Sequence, residues 1–256
     1  MSWRKRRREL YRRRPKFAGR PVVLLHAGGM DGRMWHSVVE RMEDRYWLIV
    51  PDMRGHGTTP LPPGEPYSDV DDVLGVLDDL KVTDAAFAGC SFGGRVALQV
   101  ASAAPERVNA LALFASPVDW SDPPSAELKA FFEQEEALVE GGDIDAAVDL
   151  NVRTWVREPE CEELVADMVR RSIGHQAGVE APEREVPIDL ASIAVPTLAV
   201  SAGLDFPDFA KIADQIAAEV PNAQRAEVPD AGHLIPLERP DETAELLAAF
   251  LEGVGT

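Results

Sequence analysis

From residue 21 onward, short continuous apolar runs alternate with longer stretches whose apolar residues recur at helical spacing. Short runs rich in β-branched residues and bounded by turn-forming residues indicate buried strands, whereas apolar residues three and four apart indicate helices. We predict strands at 22–26, 46–50, 85–89, 108–115, 196–201 and 224–228. We predict helices at 33–43, 69–80, 92–104, 207–220 and 241–251.

This alternation predicts an α/β fold with a mostly parallel sheet and helices on both faces. Parallel strands need crossover connections, and each gap between predicted strands is long enough for a helix. Residues 117–190 break the pattern, because they contain helical stretches and no strong strand. We therefore divide the chain into a basic N-terminal arm at 1–20, a core at 21–116 and 191–256, and a helical lid insertion at 117–190.

The net charge of −18 conceals a strong asymmetry along the chain of 256 residues. Residues 1–20 hold ten Lys and Arg and one Glu, so the remainder carries a net charge of −27. A body this acidic repels nucleic acid and anionic membranes, so we expect neither as a partner. The arm alone could attract either one, but we favour an arm that is disordered or lies on the acidic body.

The remaining composition is that of a globular protein of about one domain. No apolar run approaches the roughly 20 residues of a membrane-spanning helix. No apolar stretch follows the basic N-terminus as in a secretory signal, so we expect a cytoplasmic protein. A chain of this length does not need a disulfide to hold its core, so we expect Cys90 and Cys161 to be free thiols.

The strongest chemical signal is the sequence GCSFGG at 89–94, which follows a predicted strand and opens a predicted helix. In that context a G-x-S-x-G pattern indicates a nucleophile elbow, with Ser91 as the nucleophile. Side chains two residues before and two after Ser91 would collide in such a sharp turn, so Gly89 and Gly93 leave room. The helix that follows points its free N–H groups at the site, which favours a developing oxyanion.

A serine hydroxyl at neutral pH needs a base, and His233 is our choice among the five histidines. It lies between the last predicted strand and the last helix, at the sheet edge where open α/β sheets place their sites. The acid that orients the imidazole should end another strand. We favour Asp205 and keep Asp119 and Asp208 as alternatives.

An oxyanion hole needs two N–H donors close to the serine. The N–H of Phe92, the residue after the nucleophile, is one candidate. The other should come from the loop after the first strand, where small residues let the backbone approach a substrate. We choose Gly28, with Gly29 as the near alternative.

Together these motifs resemble the α/β-hydrolase superfamily, in its lidded branch of esterases, lactonases, carbon–carbon bond hydrolases and cofactor-free haloperoxidase-like enzymes. The resemblance covers about residues 21–252 and rests on LLHAGG, PDMRGHG, GCSFGG, VPTLAVSAGLD and AGHLIPLERP in that order. It implies structural roles for His56 and for His26, which supports the oxyanion loop, and it supports Gly28 as a donor. Family members usually begin with a β-hairpin, where this chain has its arginine-rich arm.

Three functions follow from these residues. The first is hydrolysis of a small ester or lactone through an acyl-Ser91 intermediate, which requires neither a metal nor an organic cofactor. The second keeps the site but performs perhydrolase, haloperoxidase-like or carbon–carbon bond chemistry. The third is ligand binding on a hydrolase fold with an idle triad.

The substrate is expected to be apolar, because large apolar side chains fall in the loops and in the insertion. The same side chains could instead form the core of the lid. The candidate pocket residues are Met30, Trp35, Trp120, Trp155 and Leu234.

Overall fold

A twisted parallel sheet forms the centre of the protein. The computed structural model of the chain describes residues 19–64, 66–118 and 123–254. Within these ranges the sheet has six strands in the order β2-β1-β3-β4-β5-β6, and every neighbouring pair is parallel. The strands are β1 Arg20–Leu25, β2 Tyr46–Ile49, β3 Ala85–Cys90, β4 Val108–Phe114, β5 Thr197–Ala202 and β6 Ala223–Val228.

The α-helices of the described ranges follow the predicted alternation with the strands. They are α1 His36–Met42, α2 Asp69–Leu80, α3 Phe92–Ala103, α4 Ala126–Glu140, α5 Ile144–Trp155, α6 Glu162–Gln176, α7 Pro207–Glu219, α8 Ile235–Glu238 and α9 Pro240–Gly253. Short 3₁₀ turns lie at Gly32–Trp35, Pro105–Arg107, Pro159–Cys161 and Leu190–Ser192.

The continuous apolar runs are explained by burial of the sheet on both faces. In β1, Val22 and Leu24 point to one face and Val23 and Leu25 to the other, because side chains alternate along a strand. The first face packs against α1 and α9, and the second packs against α2, α3 and α7. Each fully buried Val or Leu contributes about 1.5–3 kcal/mol to folding. The predicted α/β class with helices on both faces is confirmed.

Two boundaries differ from the sequence prediction. The first strand begins at Arg20, inside the segment assigned to the arm, and residues 1–18 of that arm lie outside the described ranges. The helix predicted at 33–43 is divided into a 3₁₀ turn and α1. The turn begins where the Asp31 carboxylate accepts a hydrogen bond from the N–H of Arg33 at 3.0 Å, a local cap that a hydrophobic pattern does not reveal.

Helices α4, α5 and α6 lie between β4 and β5 and share the hydrophobic cluster of the first sheet face. Leu128, Val148 and Val165 are buried in that cluster with the core strands. Asp208, at the start of α7, holds the beginning of this insertion by accepting a hydrogen bond from the N–H of Ser125 at 2.7 Å. The insertion is therefore packed onto the core rather than separated from it.

Two further predictions concern the state of the two cysteines and the presence of membrane-spanning helices. Cys90 and Cys161 are both free and buried. Across the described part of the chain, no helix is long and apolar enough to cross a membrane.

Helix α3 lies very close to the end of β4. A methyl group at Gly94 would place its carbon 1.6 Å from the Ser116 hydroxyl oxygen and 2.5 Å from the Ser116 Cβ. These distances are far below van der Waals contact, so the glycine determines how closely α3 approaches the sheet.

We expect Gly94→Ala to lower the free energy of unfolding by about 1–3 kcal/mol, the usual cost of overpacking. Ser116→Gly removes both clashing atoms, so the double variant should recover most of the loss. Urea unfolding of the two single variants and the double variant measures the coupling. A double variant no more stable than Gly94→Ala would contradict this account of the contact.

Candidate active site

Ser91 occupies a strained turn between β3 and α3. Its backbone has φ 49° and ψ −120°, a conformation that costs a non-glycine residue about 1–3 kcal/mol. The turn is tight. A Cβ added at Gly89 would lie 2.4 Å from the carbonyl carbon of Gly93, and one added at Gly93 would lie 2.3 Å from the carbonyl oxygen of Leu25. The sharp junction predicted from GCSFGG is present, and Ser91 lines a large cavity.

His233 and Asp205 form a buried hydrogen-bonded pair at the same edge of the sheet. The Nδ1 of His233 donates to Oδ2 of Asp205 at 2.7 Å, and the two side chains are 6% and 2% exposed. The other carboxylate oxygen of Asp205 accepts from the N–H of Phe206 at 2.7 Å. With Nδ1 as the donor, Nε2 of His233 remains available as a proton acceptor.

Aromatic rings hold the imidazole of His233 in place. The ring centroid of Trp155 lies 4.5 Å from that of His233, and the ring of Phe209 lies 4.4 Å away on a different element. The Cys90 thiol donates a weak hydrogen bond to the His233 carbonyl at 3.6 Å. The sequence prediction did not single out Phe209, because its contact with His233 joins segments that are distant in the chain.

Ser91 and His233 both line the cavity, whereas Asp205 lies behind the imidazole. Among the hydrogen bonds of the described residues, none joins the Ser91 hydroxyl directly to the His233 ring. Serine–histidine hydrogen bonds are often long before a substrate binds. The structure thus brings the two side chains to one cavity.

The two expected oxyanion donors lie side by side. Phe92 is the first residue of α3, and Gly28 lies in the loop that follows β1. A Cβ added at Gly28 would lie 3.7 Å from the Cβ of Phe92. Within the described chain, neither N–H is engaged by a backbone carbonyl. Gly29 has φ 71°, a left-handed conformation that turns the loop away after Gly28.

His26 holds this loop from beneath. Its Nε2 accepts a hydrogen bond from the N–H of Met53, and its Nδ1 donates to the Ala27 carbonyl, both at 2.9 Å. Burial lowers the pKa of His26 to about 4, against the opposing effects of the Ala27 hydrogen bond and Asp31. Burial likewise lowers the pKa of His56 to about 3, and its ring lies 4.9 Å from that of His26. Both rings have the buried, hydrogen-bonded environment of structural histidines.

The other candidate residues have different surroundings. Asp208 contacts Ser125 instead of an imidazole, and Asp119 lies outside the described residues. His36 is exposed beside Glu40, and Nε2 of His175 lies 3.1 Å from the Gly57 carbonyl.

The cavity has a volume of about 1180 Å³, above the usual 300–1,000 Å³ of ligand pockets. Of the predicted pocket residues, Met30, Trp155 and Leu234 line it. The prediction of Trp35 is wrong, because its side chain is fully buried in the core with its ring 6.1 Å from Phe114. Trp120 lies outside the described residues.

The cavity wall has an aromatic part and a polar part. Phe131 and Phe132 of α4 extend the aromatic surface that begins at Trp155. The polar part includes Arg54, Tyr67, Asp69, Arg95 and Glu183, and Glu135 and Glu136 of α4 also line the cavity. Burial raises the pKa of Asp69 to about 7, an effect that the charge of Glu183 increases.

Metal ligation is a separate question. Among the residues that the structure describes, no group of three or more His, Cys, Asp and Glu side chains could hold a metal ion.

Comparisons with known proteins agree with this architecture. A family model described as the alpha/beta hydrolase family matches residues 22–246. The chain therefore belongs to the alpha/beta hydrolase family, and it is an enzyme of the hydrolase class.

Individual relatives place the chain among hydrolases of several kinds. It is 28% identical over 244 residues to 3-oxoadipate enol-lactonase 2 of Acinetobacter baylyi, covering 92% of this chain and 90% of the relative. It is 27% identical over 251 residues to the pimeloyl-[acyl-carrier protein] methyl ester esterase of Pectobacterium atrosepticum, covering 90% and 94%. A thermophilic esterase from Thermogutta terrifontis, solved with malate bound, superimposes with a TM-score of 0.76 at 26% identity and covers 93% of this chain and 91% of that chain.

The lowered pKa of His26 predicts a pH-dependent stability. Between its unfolded pKa of about 6.5 and its folded pKa of about 4, the unfolded chain binds a proton that the folded protein does not. Stability is therefore lost as the pH falls through this window, by about 1.4 kcal/mol per pH unit for this residue.

The measurement is urea unfolding at a series of pH values from 7 to 4.5 for the native protein, His26→Gln and His36→Gln. Asp69 and His56 also have shifted pKa values, but they are present in all three proteins and their contribution is therefore shared. His26→Gln should reduce the slope of unfolding free energy against pH by about 1.4 kcal/mol per pH unit. His36→Gln alters an exposed ring and should leave the dependence unchanged. Equal slopes in the native protein and His26→Gln would refute the prediction.

Proposed function

We propose that the chain is a serine hydrolase that cleaves esters or lactones, with Ser91 as nucleophile, His233 as general base and Asp205 as the acid that orients it. The observation that carries the proposal is the 2.7 Å hydrogen bond between His233 and Asp205 beside a cavity onto which strained Ser91 opens. The names of the relatives, an enol-lactonase, a methyl ester esterase and an esterase, support the same chemistry.

The reaction begins when the Ser91 Oγ attacks the carbonyl carbon as Nε2 of His233 takes its proton. Asp205 stays ionised and stabilises the imidazolium through Nδ1. The tetrahedral oxyanion accepts hydrogen bonds from the N–H groups of Phe92 and Gly28, and removal of one such donor costs about 3–4 kcal/mol of barrier.

His233 then protonates the leaving alkoxide, which gives an acyl-Ser91 and the free alcohol. In a lactone the alcohol remains attached to the acyl group. A water molecule loses a proton to His233, attacks the acyl carbon and releases the acid. No step needs a metal or an organic cofactor.

The substrate is proposed to be apolar near the reacting carbonyl. The rings of Trp155 and Phe209 pack on the imidazole, and Leu234 lines the cavity beside them in the chain. Phe131 and Phe132 extend this wall along α4. The insertion that carries α4, α5 and α6 is proposed to act as a lid that excludes water from the acyl-enzyme. The volume of the cavity favours substrates larger than a simple acetyl ester.

Ser91→Ala should reduce hydrolysis of a p-nitrophenyl ester by about 10⁴-fold or more, because no other hydroxyl replaces the nucleophile. A fluorophosphonate probe should label the native protein and leave this variant unlabelled. Ser116→Ala is the control, since it removes a buried hydroxyl that does not line the cavity. Full activity in Ser91→Ala would exclude the assignment, and a native protein that resists labelling would point to a binding role.

Asp205→Asn should lower kcat by about 10³–10⁴-fold, because the amide no longer selects the tautomer with the proton on Nδ1. The matched control is Asp208→Asn, three residues along the chain, whose carboxylate binds Ser125 instead. Steady-state kinetics on one ester measures both variants. Similar losses in the two variants would remove Asp205 from its proposed role.

A further inference from the structure

Glu238 is a buried carboxylate at the end of α8, five residues after the proposed base. Its side chain is enclosed, with the residue 6% exposed, and its two oxygens accept backbone hydrogen bonds from different segments. Oε2 accepts from the N–H of Gly232, and Oε1 accepts from the N–H of Arg157, each at 2.6 Å. We propose that Glu238 is a positioning residue for the hydrolysis proposed above, on which this inference rests.

The first hydrogen bond acts on the loop that carries the base. Gly232 directly precedes His233, so its N–H fixes the backbone from which the imidazole projects. A methyl group at Gly232 would lie 2.8 Å from Oε2 of Glu238 and 2.7 Å from Cγ of Arg157. The loop, the carboxylate and the insertion therefore meet in one close contact with no spare volume.

The second hydrogen bond acts on the insertion. Arg157 follows Trp155 by two residues, and the indole of Trp155 packs against the His233 ring at 4.5 Å. By holding Arg157, Glu238 fixes the end of α5 and with it the aromatic wall against which the imidazole rests. The same carboxylate thus controls both the base and the surface that orients it.

The loop of the proposed acid belongs to the same closed network. The N–H of Leu204 donates to the Ala231 carbonyl at 3.0 Å, and Nε of Arg157 donates to the Leu204 carbonyl at 3.3 Å. Leu204 precedes Asp205, Ala231 lies two residues before His233, and Arg157 lies two residues after Trp155. Asp205, His233 and Trp155 therefore each lie within two residues of a member of the closed network that Glu238 completes.

The carboxylate suits this task better than an amide does. Both of its oxygens accept hydrogen bonds, and bonds from N–H groups to an ionised carboxylate are shorter and stronger than neutral ones. A glutamine of the same shape offers one oxygen and one NH₂ group, so one of the two N–H groups would face a donor. Neighbouring Arg239 pairs with Glu158 and donates to the Asp230 carbonyl, which supports the same junction from outside.

The test compares Glu238→Gln with Glu245→Gln, the same substitution at an exposed position on α9. For Glu238→Gln we expect a 10- to 100-fold loss in kcat and in the rate constant of fluorophosphonate labelling, both per folded molecule. KM should change less than kcat does, because Glu238 does not line the cavity and reaches it only through the end of α5 and Trp155. Glu245→Gln should match the native protein in all three quantities.

A spectroscopic readout separates positioning from simple loss of stability. In protein with ¹⁵N-labelled histidine, the proton shared by His233 and Asp205 can be assigned by its absence in His233→Ala. We expect this signal to shift or disappear in Glu238→Gln while the remaining spectrum stays that of a folded protein. If Glu238→Gln does not fold, Glu238→Asp keeps the charge with a shorter reach and should show the same changes with a 3- to 10-fold loss.

The inference would be overturned if the variant that folds kept the labelling rate and kcat of the native protein and an unchanged His233 signal. The proposed function would still stand in that case. A native protein that is neither labelled nor active on esters would overturn the proposed function and this inference together.

Discussion

The junction between β3 and α3 is so tight that a side chain fits at Ser91 but not at the glycines around it. Gly89 and Gly93 lie within contact of backbone atoms, and Gly94 approaches Ser116 at the end of β4. This crowding holds Ser91 in a conformation that its own backbone disfavours. It also brings the start of α3 against the loop after β1, where Phe92 and Gly28 lie in contact.

The parallel sheet places the remaining groups near this junction. Because all the described strands run in the same direction, the loops after β1, β3, β5 and β6 leave the sheet at one edge. Those loops carry Gly28, Ser91, Asp205 and His233. Burial of the sheet on both faces provides the stability that a strained turn and a buried ionisable pair require.

The segment between β4 and β5 contacts the candidate site directly. Trp155 packs on the imidazole of His233, and the Glu238 carboxylate joins the end of α5 to the loop that carries His233. Movement of this end of the insertion would therefore disturb the imidazole itself. The phenylalanines of α4 continue the same aromatic surface, since the ring of Phe131 lies 4.7 Å from that of Trp155.

Local sequence patterns were enough to predict the strands and most helix positions, and they supplied the candidates for the triad, which remain a prediction. Continuous apolar runs require burial on both faces, and GCSFGG requires a sharp turn, so both signals depend on neighbouring residues alone. Trp35 was misplaced because hydrophobicity does not distinguish a core side chain from one that lines a cavity. The contacts of Phe209 and Glu238 depend on segments that are distant in the chain. The carboxylate of Glu238 has both of its hydrogen bonds only where Gly232 and Arg157 converge on it. That convergence is a consequence of packing the insertion onto the sheet, and no local pattern encodes it.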